Sequence, residues 1–187
     1  MGFLINMSNN KRAAVYIDGS NLYHKLKDLK VENSTNFDYQ GFCRLLARNR
    51  KIVSCRYYVG VVRAKENDAK GQKMRIAQTK LFENLRKQNF SLFYGYLMNS
   101  GGKYHEKGVD VHIATDLLVG AYEDLYDTAI LISSDSDLVP AVRKIKSLGK
   151  ELEYVGFSHS PCLALQKYAT LSRLLIRDDI EGLIRVE

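Results

Sequence analysis

Long hydrophobic runs are missing from this sequence, and their absence argues against a membrane-spanning protein. No stretch approaches the roughly eighteen consecutive apolar residues that a transmembrane helix needs. The apolar residues near the start are too few for a signal peptide, and they lack a basic beginning and a small-residue cleavage site. We therefore expect no membrane partner, and we expect residues 1–11 to be a flexible lead-in.

Cysteine and histidine are also scarce, and their spacing argues against two kinds of site. The three cysteines, Cys43, Cys55 and Cys162, are odd in number and widely spaced. Reduced thiols in a cytoplasmic protein are therefore expected, not a disulfide framework. The four histidines show no paired ligand spacing, which argues against zinc. Because no repeat, low-complexity segment or linker divides the chain, we predict one domain over residues 12–187.

Predicted strands and helices alternate along the chain. Strands are predicted at residues 13–17, 52–62, 90–98, 129–133, 152–157 and 171–177, and helices at 20–30, 38–50, about 74–87, 109–124, 136–148 and 162–169. Residues 63–73 and 99–107 are predicted to be polar loops. Strands separated by helices of this length imply βαβ units, so we predict a three-layer α/β/α sandwich around a mainly parallel sheet.

Carboxylates follow two of the predicted strands at the point where each strand ends. Asp18 follows the first strand, and Asp135 and Asp137 follow the hydrophobic run 129–132. Because parallel strands point the same way, these side chains are expected to meet at one rim of the sheet, where ligands bind in open α/β folds. Asp18 could instead serve only as the cap of the helix that follows it.

The predicted helix at 109–124 carries two further acids although it is apolar almost all round. Asp110 lies in its first turn, where it could simply complement the helix dipole. Asp116 lies mid-helix, where it could join the acidic rim or pair with Arg143 or a lysine. Several carboxylates on one rim would repel one another unless a cation neutralised them. Mg²⁺ or Mn²⁺ suits such an oxygen-rich site.

Three segments together resemble the NYN domain, the LabA-like branch of the PIN-like ribonuclease superfamily. They are YIDGSNLYH, KGVDVHIATDLL and ILISSDSDLVPAV, and the resemblance runs from about residue 12 to residue 177. It implies a PIN-like fold and hydrolysis of RNA phosphodiester bonds at a divalent-metal site. The metal and catalytic positions that it implies are Asp18, Asp110, Asp135 and Asp137, with Lys107 as a basic residue for the phosphate and Asn21, Asp116, Ser133 and Ser134 as supporting polar residues.

The same residues would also serve a non-catalytic nucleic-acid-binding or regulatory module that keeps the acidic site. The net charge of +7 favours a polyanionic partner such as RNA. Residues 63–87 hold eight basic residues against three acidic ones, and the expected RNA contacts are Arg63, Lys65, Lys70, Lys73 and Arg75. A solvated helix face would show the same charges. Four tyrosines, Tyr57, Tyr58, Tyr94 and Tyr96, could stack on bases or belong to the core.

Overall fold

A seven-stranded sheet forms the centre of the molecule. The computed structural model describes residues 11–31, 37–64, 67–100 and 103–184. The strands are β1 (Arg12–Asp18), β2 (Lys51–Val61), β3 (Ser91–Ser100), β4 (Lys103–Lys107), β5 (Thr128–Ile132), β6 (Glu151–Phe157) and β7 (Leu171–Leu175). Their order across the sheet is β4-β3-β2-β1-β5-β6-β7. All neighbours are parallel except β3 and β4.

Helices cover both faces of this sheet. They are α1 (Gly19–Asp28), α2 (Tyr39–Ala47), α3 (Ala69–Lys87), α4 (Val109–Tyr122), α5 (Val139–Ser147), α6 (Leu163–Tyr168) and α7 (Arg177–Ile180), with 3₁₀ turns at Ser136–Leu138 and Glu181–Leu183. The predicted α/β/α sandwich is confirmed. Across the described ranges, no helix combines the length and the apolar character that crossing a membrane requires.

Strands β1 and β5, at the centre of the sheet, each contact two hydrophobic cores. In β1, Ala13, Val15 and Ile17 pack with α1 and α2, whereas Ala14 and Tyr16 pack with α4 and α5. Because successive side chains of a strand point to opposite faces, a strand covered on both sides must be apolar at every position. The unbroken apolar runs of β1 and β5 therefore reflect burial on both faces.

The connection order of the strands reverses between β1 and β5. The chain builds the sheet outward from β1 through β2 and β3, and then crosses back to add β5, β6 and β7 on the other side. Ile17 is in register with Ile132, so Asp18 and Ser133 are the next residues on the two strands. A reversal of this kind opens a crevice at the carboxyl ends of the strands, where doubly wound folds bind ligands.

The loop predicted at 99–107 is wrong for residues 99–100 and 103–107, which lie in β3 and β4. Residues of β4 pair antiparallel with the end of β3, and Tyr96 lies opposite Lys107. The segment KYHEK is short and lacks a run of apolar residues, so its composition alone resembles a loop. The predicted lead-in at residues 1–11 lies almost wholly outside the described residues, and β1 begins at Arg12.

One buried carboxylate lies far from the carboxyl ends of the strands. Glu153 of β6 is 1% exposed and forms ion pairs with Arg50 at 2.5 Å and with Arg173 at 2.7 Å. Burying a charge is costly unless a partner compensates it. These two arginines therefore make the burial of Glu153 possible, and they link β6 to β7 and to the turn before β2.

Candidate metal centre

Three carboxylates converge at the crevice beside β1 and β5. One oxygen from each of Asp110, Asp135 and Asp137 lies within 4.8 Å of the other two. Asp110 and Asp135 are partly buried, and Asp137 is exposed. Asp110 comes from the first turn of α4, while the other two come from the segment between β5 and α5. Three of the four predicted metal ligands thus lie together, and Asp18 is not one of the three acids of this cluster.

Local hydrogen bonds hold the two acids that follow β5. Asp135 caps the 3₁₀ turn, because its Oδ1 accepts a hydrogen bond from the backbone N–H of Asp137 at 2.9 Å. The backbone N–H of Asp135 donates to Ser133 Oγ at 3.1 Å. Pro140 follows in the first turn of α5, where a proline costs no helical hydrogen bond. The hydrogen bond from Asp137 N therefore fixes the direction of the Asp135 carboxylate.

Asp110 reaches the site because of the glycine that precedes α4. Gly108 is the N-cap residue and has a left-handed backbone with φ of 82°. Glycine adopts this conformation without steric cost, which allows β4 to turn directly into α4. The first turn of α4, with Asp110 in it, therefore follows β4 immediately at the carboxyl end of the sheet.

Asp18, the fourth predicted metal ligand, is buried and accepts a hydrogen bond across the two central strands. It is 6% exposed, and it accepts hydrogen bonds from Asn21 N at 3.0 Å, from Asn21 Nδ2 at 2.6 Å and from Ser133 Oγ at 3.0 Å. Asn21 Oδ1 in turn accepts a hydrogen bond from the backbone N–H of Ser134 at 3.2 Å. Asp18 therefore caps α1 and also ties β1 to the segment after β5.

Burial raises the pKa of Asp18 above its ordinary value. The hydrogen bonds from Asn21 and Ser133 lower the pKa and partly offset the burial, and the neighbouring charge of Asp135 raises it further. The site thus places an acid that is already costly to ionise beside other carboxylates. A bound cation would offset the free-energy cost of ionising these carboxylates.

Glu106 of β4 is an acidic neighbour of the site that sequence reasoning missed. Its carboxylate accepts hydrogen bonds from the backbone N–H of Gly60 and from the Ser20 hydroxyl. Burial is the main cause that raises the pKa of Glu106, and the charges of Asp18 and Asp110 add to it. The available signal was Gly101-Gly102, because a glycine pair between two short segments is typical of a β-hairpin.

The geometry of the three-carboxylate cluster fits a small divalent cation. An octahedral Mg²⁺ binds oxygen at about 2.0–2.1 Å, so two opposite ligands are about 4.2 Å apart. Carboxylate oxygens within 4.8 Å of one another need only small side-chain rotations to share such an ion. The donor set consists of oxygen alone, which suits hard cations better than zinc.

Two other predicted site residues lie in different surroundings. Asp116 Oδ2 forms an ion pair with Arg56 at 3.0 Å and accepts a hydrogen bond from Tyr58 at 2.7 Å. The internal partner of Asp116 is thus Arg56 and not Arg143, which lies over the ring of Tyr168. Lys107 is exposed and follows Glu106 on β4.

Comparison with known proteins places this architecture in a family. The family model of the NYN domain matches residues 12–172. The chain belongs to the NYN domain family. This family is part of the PIN-like superfamily, and its members are generally nucleases.

Two individual proteins resemble this NYN domain. An uncharacterized protein of Methanocaldococcus jannaschii is 27% identical over 158 residues, which are 84% of this chain and 52% of that protein. The NYN domain therefore spans about half the length of that relative. The crystal structure of a protein of unknown function from Vibrio parahaemolyticus superposes with a TM-score of 0.68 and 23% identity, covering 92% of this chain and 97% of the other. That likeness shows a shared fold.

The predicted RNA-contacting residues that the structure describes do not all point in the same direction. Lys70 and Lys73 line a shallow hollow at the start of α3, and Arg63 lies over the ring of Tyr96. At 100° per residue, Arg75 lies about 160° around the helix from Lys73, so the two side chains point in nearly opposite directions. Lys65 lies outside the described residues.

Only two of the four candidate stacking tyrosines are accessible. Tyr57 and Tyr58 are buried in the two cores, so their interpretation as stacking residues is wrong. Tyr94 is 38% exposed and Tyr96 is 62% exposed. The difference follows from position, because β2 is covered by helices on both faces along the segment that contains Tyr57 and Tyr58.

Proposed function

We propose that this NYN domain is a metal-dependent ribonuclease that hydrolyses RNA phosphodiester bonds, with Mg²⁺ or Mn²⁺ bound by Asp110, Asp135 and Asp137. The observation that carries the proposal is the approach of these three carboxylates to within 4.8 Å at the crevice between β1 and β5. Three acids so close together are mutually repulsive without a cation. The membership of a nuclease family agrees with this chemistry.

Each acidic residue has a defined part in the proposed site. A divalent ion bound there supplies Lewis acidity and a water of lowered pKa. Asp110, Asp135 and Asp137 hold the ion, and the hydrogen bond from Asp137 N keeps the Asp135 carboxylate directed. Asp18 accepts hydrogen bonds from Asn21 and Ser133, and these two residues in turn hold the backbone of Ser134 and Asp135.

Cationic side chains near the site would hold the RNA backbone. Lys107 lies three residues before Asp110 and is exposed, which suits it to contact a phosphate beside the acidic cluster. In a βαβ unit the helix begins at the carboxyl ends of the strands, so Lys70 and Lys73 lie at the same end of the sheet as the acids. Phosphate contacts of this kind position a polymer, while the metal site carries the chemistry.

The test is RNA degradation by the purified protein with Mn²⁺, with Mg²⁺ and with EDTA. We expect cleavage only with a divalent ion, and a loss of at least about 100-fold in Asp135→Asn, in which one ligand oxygen becomes an amide nitrogen. Asp178→Asn removes an exposed carboxylate on α7 and is the matched control. Titration calorimetry with Mn²⁺ gives a readout that is independent of cleavage, and it should show weaker binding only in Asp135→Asn.

A specific observation supports the alternative of a non-catalytic module. Asp18 and Asp135 each cap a helical turn, so both carboxylates have structural partners without any ion. A parent protein that binds Mn²⁺ and RNA but cuts none of a panel of RNAs would favour this alternative over the ribonuclease.

A further inference from the structure

Tyr96 combines high exposure with a cation fixed over its ring. It lies near the end of β3 and is 62% exposed. The guanidinium carbon of Arg63 lies 5.6 Å from the ring centroid. Although Arg63 lies against the ring, more than half of the Tyr96 surface remains accessible. A rigid aromatic side chain with an open face and a cation beside it is the arrangement on which nucleic-acid bases stack.

The neighbouring Tyr94 shows that this exposure is not general for the strand. The Tyr94 hydroxyl accepts a hydrogen bond from Arg86 at 2.9 Å, and its ring packs on Phe82 at 5.3 Å. Tyr94 therefore anchors α3 to β3. Tyr96, two residues further along the same face, has no such packing partner among the described ring contacts, apart from Arg63.

The β3–β4 hairpin separates basic and acidic side chains onto its two faces. Lys107 is the register partner of Tyr96, and Glu106 is the partner of Leu97. Because successive side chains alternate, Lys107 shares the face of Tyr96, whereas Glu106 lies on the opposite face and reaches towards Gly60 and Ser20. Arg63, Tyr96 and Lys107 thus form one exposed group on the face of the hairpin opposite to Glu106.

This group lies within a short distance of the acidic cluster. Register partners in an antiparallel pair are about 5 Å apart, and three residues of chain span at most about 11 Å. The Cα atoms of Tyr96 and Asp110 are therefore no more than about 16 Å apart. A stacked single strand with about 3.4 Å per nucleotide crosses that distance in five nucleotides or fewer.

We propose that Arg63, Tyr96 and Lys107 form a subsite for one unpaired base of a single-stranded RNA. The base stacks on the open face of Tyr96, and the two cations contact the flanking phosphates. The proposal deepens the proposed function, because this strand is the one whose phosphodiester reaches Asp110, Asp135 and Asp137. Bases inside a duplex have no free face to offer, so the subsite selects single-stranded over double-stranded RNA.

The experiment measures RNA binding in EDTA, where the proposed cleavage cannot interfere. The probes are a single-stranded RNA of about twelve nucleotides, the same RNA with abasic positions, and a duplex of equal length. Tyr96→Thr removes the ring and places a β-branched residue, which strands favour, and Tyr96→Phe keeps the ring. Tyr122→Ala removes a tyrosine of α4 that is 61% exposed and serves as the control.

We expect Tyr96→Thr to weaken single-strand binding by about 5- to 150-fold, and Tyr96→Phe and Tyr122→Ala to change it by less than about two-fold. Duplex binding should be the same in all four proteins. The parent should also bind the abasic RNA more weakly than the complete RNA, which tests the subsite even if Tyr96→Thr does not fold.

Equal single-strand affinity of the parent and Tyr96→Thr would overturn the subsite, and so would equal affinity of the parent for complete and abasic RNA. The result separates the subsite from the nuclease. Ring-dependent binding without any metal-dependent cleavage would retain the subsite and reject the ribonuclease, whereas cleavage with ring-independent binding would do the reverse.

Discussion

Ser133 donates a hydrogen bond to Asp18 across 3.0 Å, although 115 positions separate the two residues in the chain. The Ser133 hydroxyl has one proton to donate, and Asp18 Oδ2 accepts this hydrogen bond. Ser133 Oγ also accepts a hydrogen bond from the backbone N–H of Asp135 at 3.1 Å. One buried serine therefore holds the carboxylate at the end of β1 and the residue that carries a proposed metal ligand.

Ser133→Ala should lower the free energy of unfolding by about 1–3 kcal/mol, because it leaves both the Asp18 carboxylate and the Asp135 amide short of a partner. It should also weaken Mn²⁺ binding, since the Asp135 backbone loses its support. Ser172→Ala removes an exposed hydroxyl of β7 and should change stability by less than about 0.5 kcal/mol. Urea unfolding and Mn²⁺ titration measure both effects. Equal losses in the two variants would contradict the role given to Ser133.

Glu106→Gln should stabilise the metal-free protein at neutral pH and have little effect in acid. Burial raises the pKa of Glu106, so the folded state binds the proton more tightly than the unfolded state. The contribution of this group to stability is therefore fully present below its ordinary pKa, and it is lost as the pH rises through the raised pKa of the folded state. Glutamine can still accept the hydrogen bond from Gly60 N and carries no charge.

The measurement for Glu106 is the urea midpoint of the parent and the variant in EDTA at several pH values from about 4 to 8. The difference between the two proteins should grow with pH. Glu83→Gln, on the exposed side of α3, is the control and should show no such trend. A difference that is constant with pH would mean that the carboxyl of Glu106 titrates alike in both states.

The two sides of α3 should differ in their effect on the salt dependence of RNA binding. Replacing Lys70 and Lys73 together by Ala should make the slope of log K against log salt shallower by about 1.4, because each phosphate contact on a single strand contributes roughly 0.7. Arg75→Ala should leave the slope unchanged, since that side chain points about 160° away from Lys73. The measurement is RNA affinity in EDTA at several salt concentrations. An unchanged slope in the Lys70 and Lys73 variant would show that this end of α3 is only a solvated surface.

Glu153→Gln should destabilise the fold by about 3–5 kcal/mol, because it leaves the largely buried side chains of Arg50 and Arg173 without their counter-charge. Glu151→Gln makes the same chemical change on the same strand. Its partner Lys11 is half exposed, so the cost should be under about 1 kcal/mol. Thermal and urea unfolding compare the two, and similar losses would contradict the importance of burial.

Residues that follow hydrophobic strands could be located from the sequence because the rule that places them is local. Asp18 and Asp135 each follow an apolar strand closely. A parallel sheet brings the carboxyl ends of its strands to one edge, whichever side chains the strands carry. Asp110 could be located from the first turn of a helix that begins at the same edge. These inferences needed only the direction of the chain, which hydrophobic periodicity reveals.

Glu106 and the partner of Asp116 could not be predicted in the same way. Strand β4 is paired through its backbone, and its five residues have no apolar pattern to reveal it. The partner of Asp116 is Arg56, which lies in the middle of β2 beside Tyr16 and Tyr58. That ion pair depends on how α4 packs against the sheet. The spacing of residues along the sequence does not show how close Asp116 and Arg56 come.

The reversal of strand order between β1 and β5 has a consequence for the growing chain. Strands β1, β2 and β3 can pair as soon as they are synthesised, because they are neighbours both in sequence and in the sheet. The crevice needs β5, and closing so long a connection is a slow, non-local step. A nascent chain that has not yet reached Asp135 already contains Asp18 and Asp110, but it has no cluster. The acidic site is therefore assembled only when most of the NYN domain has been made.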